Sequence, residues 1–213
     1  MRTERRKMMA TNRLPSSYQR LEYLYVNKNA YIDTGITAKT FYIDIDLYAK
    51  VKVISYAACL WCARNTNANT NSVLFFSAAY PKGMRYDVGE LGNNFSIGHD
   101  ILTNIKGFGR ILYLNNAVAY VSTGTNNNNN NNLLLFASKV YSGDKNENID
   151  NSFNNVSEHK IFQIKITKDS NKDLDAHFIP AKRKSDGVIG MYDLVGRKFY
   201  TSPNGVAFTG GKP

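Results

Sequence analysis

The chain has little of what would announce a chemistry. Only 2 of its 213 residues are cysteine, too few for the disulfide framework of a small secreted domain. No apolar run approaches the ~18 residues that a membrane-spanning helix needs. The N-terminus is charged but no apolar core of ~7 residues follows it, so no secretory signal is expected. Tryptophan occurs once and proline 5 times. P-loop and dinucleotide glycine patterns are missing, as is any Ser/His/Asp or Cys/His arrangement with supporting context. These absences set aside nucleotide-dependent and nucleophilic enzyme classes, and no catalytic residue is expected.

What is present is tyrosine, 14 copies, and positive charge, +10 net. Tyrosine suits strands, where the ring covers a sheet face and the hydroxyl reaches water. The charge is uneven. Met1 to Arg13 holds five basic residues and one acidic, including Arg2, Arg5, Arg6 and Lys7. It reads as a basic arm (residues 1–13) ahead of a single domain (residues 14–213). Such an arm can displace counterions from nucleic acid. It lacks interleaved aromatics for stacking, so an acidic protein surface is the better partner and nucleic acid is not expected.

Period-two patterning dominates. In "FYIDIDLYAK", Phe41, Ile43, Ile45 and Leu47 share one face and Tyr42, Asp44, Asp46 and Tyr48 the other. "ISYAACLW", "SVLFFSAA", "RILYL", "AVAYV", "LLLFAS" and "KIFQIKI" are further strands between Asn, Gly, Ser and Asp clusters. "ILYLNNAVAYV" predicts a hairpin turning on Asn115-Asn116, because asparagine tolerates the positive φ of a tight turn. Many short strands with polar turns indicate an all-β sandwich or barrel. Seven consecutive asparagines, 126–132, read as a loop insertion.

Three groups invite a chemical reading beside a structural one. Cys59 and Cys62 have CxxC spacing but lie in a strand, where residues three apart point to opposite faces, so two structural thiols are expected. Asp44 and Asp46 share a strand face. They suggest a solvated face, and calcium is the one ion they bring to mind, which needs six or more oxygens. Trp61, Tyr80, Tyr86 and His99 are the candidates for stacking on and hydrogen bonding to a sugar, with core packing the competing role for Trp61.

Two end motifs carry a resemblance. "LPSSYQRLEYLYVNKNAYIDTGI" (Leu14 to Ile36) and "HFIPAKRKSDGVIGMYDLVGRKFYTSPNGVAFTGG" (His177 to Gly211) resemble the opening and closing segments of concanavalin A-like, laminin-G-like jelly-roll domains. Such domains occur in bacteriophage structural proteins and bacterial surface proteins. The resemblance implies a two-sheet antiparallel jelly-roll sandwich with its terminal strands side by side. It also implies a non-catalytic virion protein (head decoration, fibre or tail-associated), docked through its arm on other virion proteins. The second function it implies is a carbohydrate-binding adhesion module contacting host cell-surface glycan. A homo-oligomer would be in keeping with either. No cofactor is implied.

Overall fold

A computed structural model describes residues 13–26, 30–37, 43–53, 58–64, 73–79, 83–88, 94–95, 100–123, 132–141, 147–150, 157–168 and 174–212. Among these the protein is all-β, with antiparallel pairing in every sheet and no helix. No helix long and apolar enough to cross a membrane occurs among them.

The first strands are β1 (Tyr18–Arg20), β2 (Leu24–Val26), β3 (Ile32–Thr37), β4 (Ile43–Val53), β5 (Ala58–Arg64) and β6 (Val73–Ala79). The middle holds β7 (Gly83–Val88), β8 (Asn94–Phe95), β9 (Leu102–Phe108), β10 (Ile111–Leu114), β11 (Ala117–Val121), β12 (Asn132–Leu135) and β13 (Ser138–Tyr141). The last are β14 (Glu147–Asp150), β15 (Ser157–Lys168), β16 (Ala176–Arg183), β17 (Ile189–Asp193), β18 (Lys198–Tyr200) and β19 (Thr209–Gly210).

The larger sheet runs β11-β10-β9-β4-β15-β16-β17-β18, with β1 on β16 and β2 bridging β15 and β19. The smaller runs β3-β12-β5-β6-β7-β8, and β13 pairs with β14. The predicted alternation holds on β4. Ile43, Ile45, Leu47, Ala49 and Val51 are buried while Asp44, Asp46, Tyr48 and Lys50 are half-buried. The buried set joins Leu60, Trp61, Ala63, Tyr86, Leu133 and Leu135 of the smaller sheet in one hydrophobic cluster. The two sheets therefore share a core.

That core forces a close approach. A Cβ on Gly107 of β9 would lie 2.9 Å from the Tyr86 hydroxyl and 3.4 Å from the Trp61 ring. The bare glycine lets both rings seat against the larger sheet, and Tyr86 donates its hydroxyl proton to the Gly109 carbonyl at 2.8 Å. The expected Asn115-Asn116 hairpin forms between β10 and β11, with φ of 50° and 67° at the two asparagines.

The chain ends meet. β1 pairs with β16 and β19 with β2. Leu21 N–H donates to Pro180 O at 3.0 Å, Glu22 N–H to Lys212 O at 3.1 Å and Gly211 N–H to Tyr23 O at 2.9 Å. On the outer face Tyr18 packs on Tyr192 and Phe199, with ring centroids 4.8 and 5.0 Å away.

The closing hairpin β17–β18 depends on two glycines and one carboxylate. Asp193 is buried, and its carboxylate accepts from the N–H groups of His177 (2.9 Å), Val195 (3.0 Å) and Gly196 (3.0 Å). A Cβ on Gly196 would sit 2.5 Å from that carboxylate, and one on Gly190 would meet the Tyr200 carbonyl at 2.1 Å. At Gly190 the requirement for glycine is the close approach of a neighbouring strand.

Gly190→Ala should therefore lower stability by about 1–3 kcal/mol through displaced backbone. Gly205→Ala, at φ 77° in open space, should cost only about 1 kcal/mol. Urea denaturation of the two variants checks the order.

Candidate functional site

The residues singled out as sugar platforms fall in two places. Trp61 and Tyr86 are buried at 1% and 0% exposure, edge to face at 6.4 Å. Neither offers a ring face to solvent. The correction has a plain cause: both sit on the core side of the smaller sheet, opposite Gly107, where ring area gains most by burial. Tyr80, His99, Arg2, Arg5, Arg6 and Lys7 lie outside the described residues.

The two cysteines do not point to opposite faces. Cys59 pairs with Ser77 and Trp61 with Phe76, so Leu60 is an extra residue in β5. The bulge restores the period, and Cys59 and Cys62 emerge on one side while Leu60, Trp61 and Ala63 serve the core. Both thiols are buried and outside any disulfide. Cys59 donates to Ala137 O at 3.3 Å. Burial first, and the adjoining Cys62 second, push the Cys59 thiol well up, so it stays protonated and unreactive.

Polar side chains converge instead on the outer face of the larger sheet. Strand register sets one row across five strands: Tyr113 beside Lys106, then Asp46, Lys165 and His177. A second row places Asn104, Tyr48 and Gln163 in line. Local hydrogen bonds fix its centre. Asn104 donates through Nδ2 to Asp46 Oδ1 at 2.6 Å. Its backbone N–H donates to Asn115 Oδ1 at 2.9 Å, and its carbonyl accepts from Asn115 N–H. The hairpin asparagine thus orients the lane. His177 Nε2 stands 3.4 Å from Gln163 Oε1.

Charge alternates along the first row, with Asp46 between Lys106 and Lys165. Burial raises the Asp44 pKa, opposed by the Gly109 N–H and by Lys106. Burial also lowers the pKa of His177, with Lys165 and Arg20 adding to it. Asp44 and Asp46 leave the same strand face side by side, which is not the opposed placement that acid and base need across a glycosidic bond. No group of three or more His, Cys, Asp or Glu able to hold a metal occurs among the described residues. What the lane offers is two tyrosine rings with amide, ammonium and carboxylate groups, a surface for hydrogen-bonding a polar ligand.

Sequence reasoning reached Asp44, Asp46 and Tyr48 but missed Asn104, Lys106, Gln163, Lys165 and His177. The outward positions of "TNIKGF" and "KIFQIKI" carried the only signal. A cleft of ≈ 480 Å³ lies beside the closing hairpin, lined by residues that include Arg183, Asp186, Ile189, Ser202, Val206 and Phe208. Its Arg183 and Asp186 already satisfy each other at 2.6 Å.

No family model, curated protein or solved structure matches this chain.

His177 is held neutral, so the folded state binds fewer protons than the unfolded chain below the ordinary value of 6.5. Stability should fall as pH drops through 6.5 toward 5, and His177→Gln should lose less over that interval. Thermal melts of both proteins at pH 7, 6 and 5 measure it. With native protein a thiol reagent should label neither cysteine until denaturant is added.

Proposed function

We propose that the protein is a non-catalytic structural component of a bacteriophage virion. In this reading a concanavalin A-like jelly-roll sandwich is displayed on the particle and docked through the basic residues 1–13. The observation that carries it is the root of the arm. Leu14 and Tyr18 pack on Ile179, Tyr192, Leu194 and Phe199, and Ser17 O accepts from Lys184 N–H at 2.9 Å. The segment that follows Arg2, Arg5, Arg6 and Lys7 in the sequence is thus fixed to the sheet, which suits a tether that must transmit position. The joined chain ends are also what the end-motif resemblance implies.

Lysine and arginine near an acidic protein surface contribute through charge steering and rim contacts, so docking should weaken with added salt. A second reading, a carbohydrate-binding adhesion module, is favoured by one feature, the lane of Tyr48, Tyr113, Asn104 and Gln163 on the outer face of the larger sheet. The two are compatible, because a displayed domain can also touch host glycan.

Deleting residues 1–13 should leave the melting temperature within a few degrees and abolish incorporation into particles. Incorporation of the truncated protein at the normal level would refute docking by the arm. For the second reading, a glycan array should give hits that Tyr48→Ala removes.

A further inference from the structure

Beside the polar lane the outer face of the larger sheet carries a second row of lysines. Register sets Leu102, Lys50, Lys160 and Tyr25 side by side across β9, β4, β15 and β2. No carboxylate stands in that row. Lys50 and Lys160 face each other directly, an arrangement that by itself destabilises a sheet. Only an irregularity in β15 makes it possible. Lys160 and Lys165 are five residues apart and would leave a regular strand on opposite faces. The register shift between Ile161 and Gln163 puts both on the outer face, while His159, Ile161, Ile164 and Ile166 are buried. A bulge of this kind re-aims a side chain. The Lys160 ammonium then lies 5.0 Å from the centroid of the Tyr23 ring, which holds it in place without neutralising it.

Along β4 the row of Lys106, Asp46 and Lys165 and the row of Lys50 and Lys160 are four residues apart, about 13 Å. Between them lies the neutral row of Asn104, Tyr48 and Gln163. Lys50, Lys106, Lys160 and Lys165 form no ion pair among the described residues. Asp46, the carboxylate of these three rows, already accepts from the Asn104 amide. The potential at the edge of the lane is positive too. After burial, it is Lys165 and then Arg20 that lower the His177 pKa, with Asp193 opposing them. Cationic rows on either side of a row of amide and phenol groups complement a chain whose acid groups are separated by hydroxyls. A phosphodiester strand fits less well, because it has no donor to offer Asp46, whereas a sugar hydroxyl does.

We propose that this face takes an acidic saccharide chain, with its acid groups on the two lysine rows and its hydroxyls on the row between them. The inference rests on the carbohydrate-binding reading and narrows it from saccharides at large to those bearing carboxylate or sulfate. Lys50 and Lys160 are the residues that set the preference, and Tyr48 and Gln163 the ones that hold the sugar between them.

Binding of the full chain to immobilised dextran, dextran sulfate, alginate and single-stranded oligothymidylate tests it. An acidic saccharide should bind and unmodified dextran should not, and the affinity should fall with added salt. The tighter of dextran sulfate and alginate assigns the acid group as sulfate or carboxylate. Lys50→Gln and, independently, Lys160→Gln should each raise the dissociation constant about fivefold. Lys184→Gln, exposed in the turn after β16, should leave it unchanged. Circular dichroism confirms that each variant is folded, and two face variants guard against one failing. Failure of both acidic saccharides to bind would overturn the proposal, as would indifference to both face variants or an equal loss with Lys184→Gln. Tighter binding of oligothymidylate than of either acidic saccharide would assign the face to nucleic acid and also overturn it. Hits on neutral glycans that Tyr48→Ala removes, with no preference for acidic ones, would overturn this inference and leave the carbohydrate-binding reading standing. No glycan bound of either kind would sink both.

Discussion

Residues 14–26 and 176–212 are tied to one another by backbone hydrogen bonds, and the rest of the larger sheet grows from that seam. β2 lies between β15 and β19, so the opening segment is clasped by strands that come much later in the chain. The clasp depends on the shape of the closing hairpin. Asp193 holds three backbone N–H groups with its buried carboxylate, and Gly190 and Gly196 leave room for the neighbouring atoms. A buried carboxylate is costly unless hydrogen-bonded, and here the donors are fixed by the turn it stabilises. Seam and hairpin are one construction.

The second constraint is how the sheets share their core. Trp61 and Tyr86 fill the space above Gly107, which withdraws the single tryptophan from any surface role. The ring area gained by burial outweighs what an exposed platform would offer a ligand. Polar chemistry is consequently displaced to the outer face, where alternation along β4, β9 and β15 lines up Lys106, Asp46 and Lys165. The face of the larger sheet therefore divides in three. Tyr18, Tyr192 and Phe199 cover the end near the seam, the polar lane occupies the middle, and the exposed Phe108, Val118 and Val121 lie toward β11.

Local signals in the sequence were reliable where local physics decides. The β4 alternation and the Asn115-Asn116 turn follow from side-chain period and from asparagine's tolerance of positive φ, and both are present. The relation of Cys59 to Cys62 was misjudged because one inserted residue, Leu60, reverses the face assignment, and period-two reasoning cannot see a bulge. The polar lane was largely illegible. Its members come from five strands whose order, with β4 between β9 and β15, is set by long-range pairing that no short window carries. The end motifs did anticipate that the termini adjoin.

The account rests on the terminal seam being part of the cooperative fold rather than an appendage to it. Native-state hydrogen exchange measures this directly. The amides of Leu21, Glu22 and Gly211, which donate to Pro180, Lys212 and Tyr23, should exchange only on global unfolding. Their opening free energy should match that of Ile161 and Ile164 in the centre of β15. Exchange of those three amides at loop rates, with β15 still protected, would show that the ends open independently and would contradict the account.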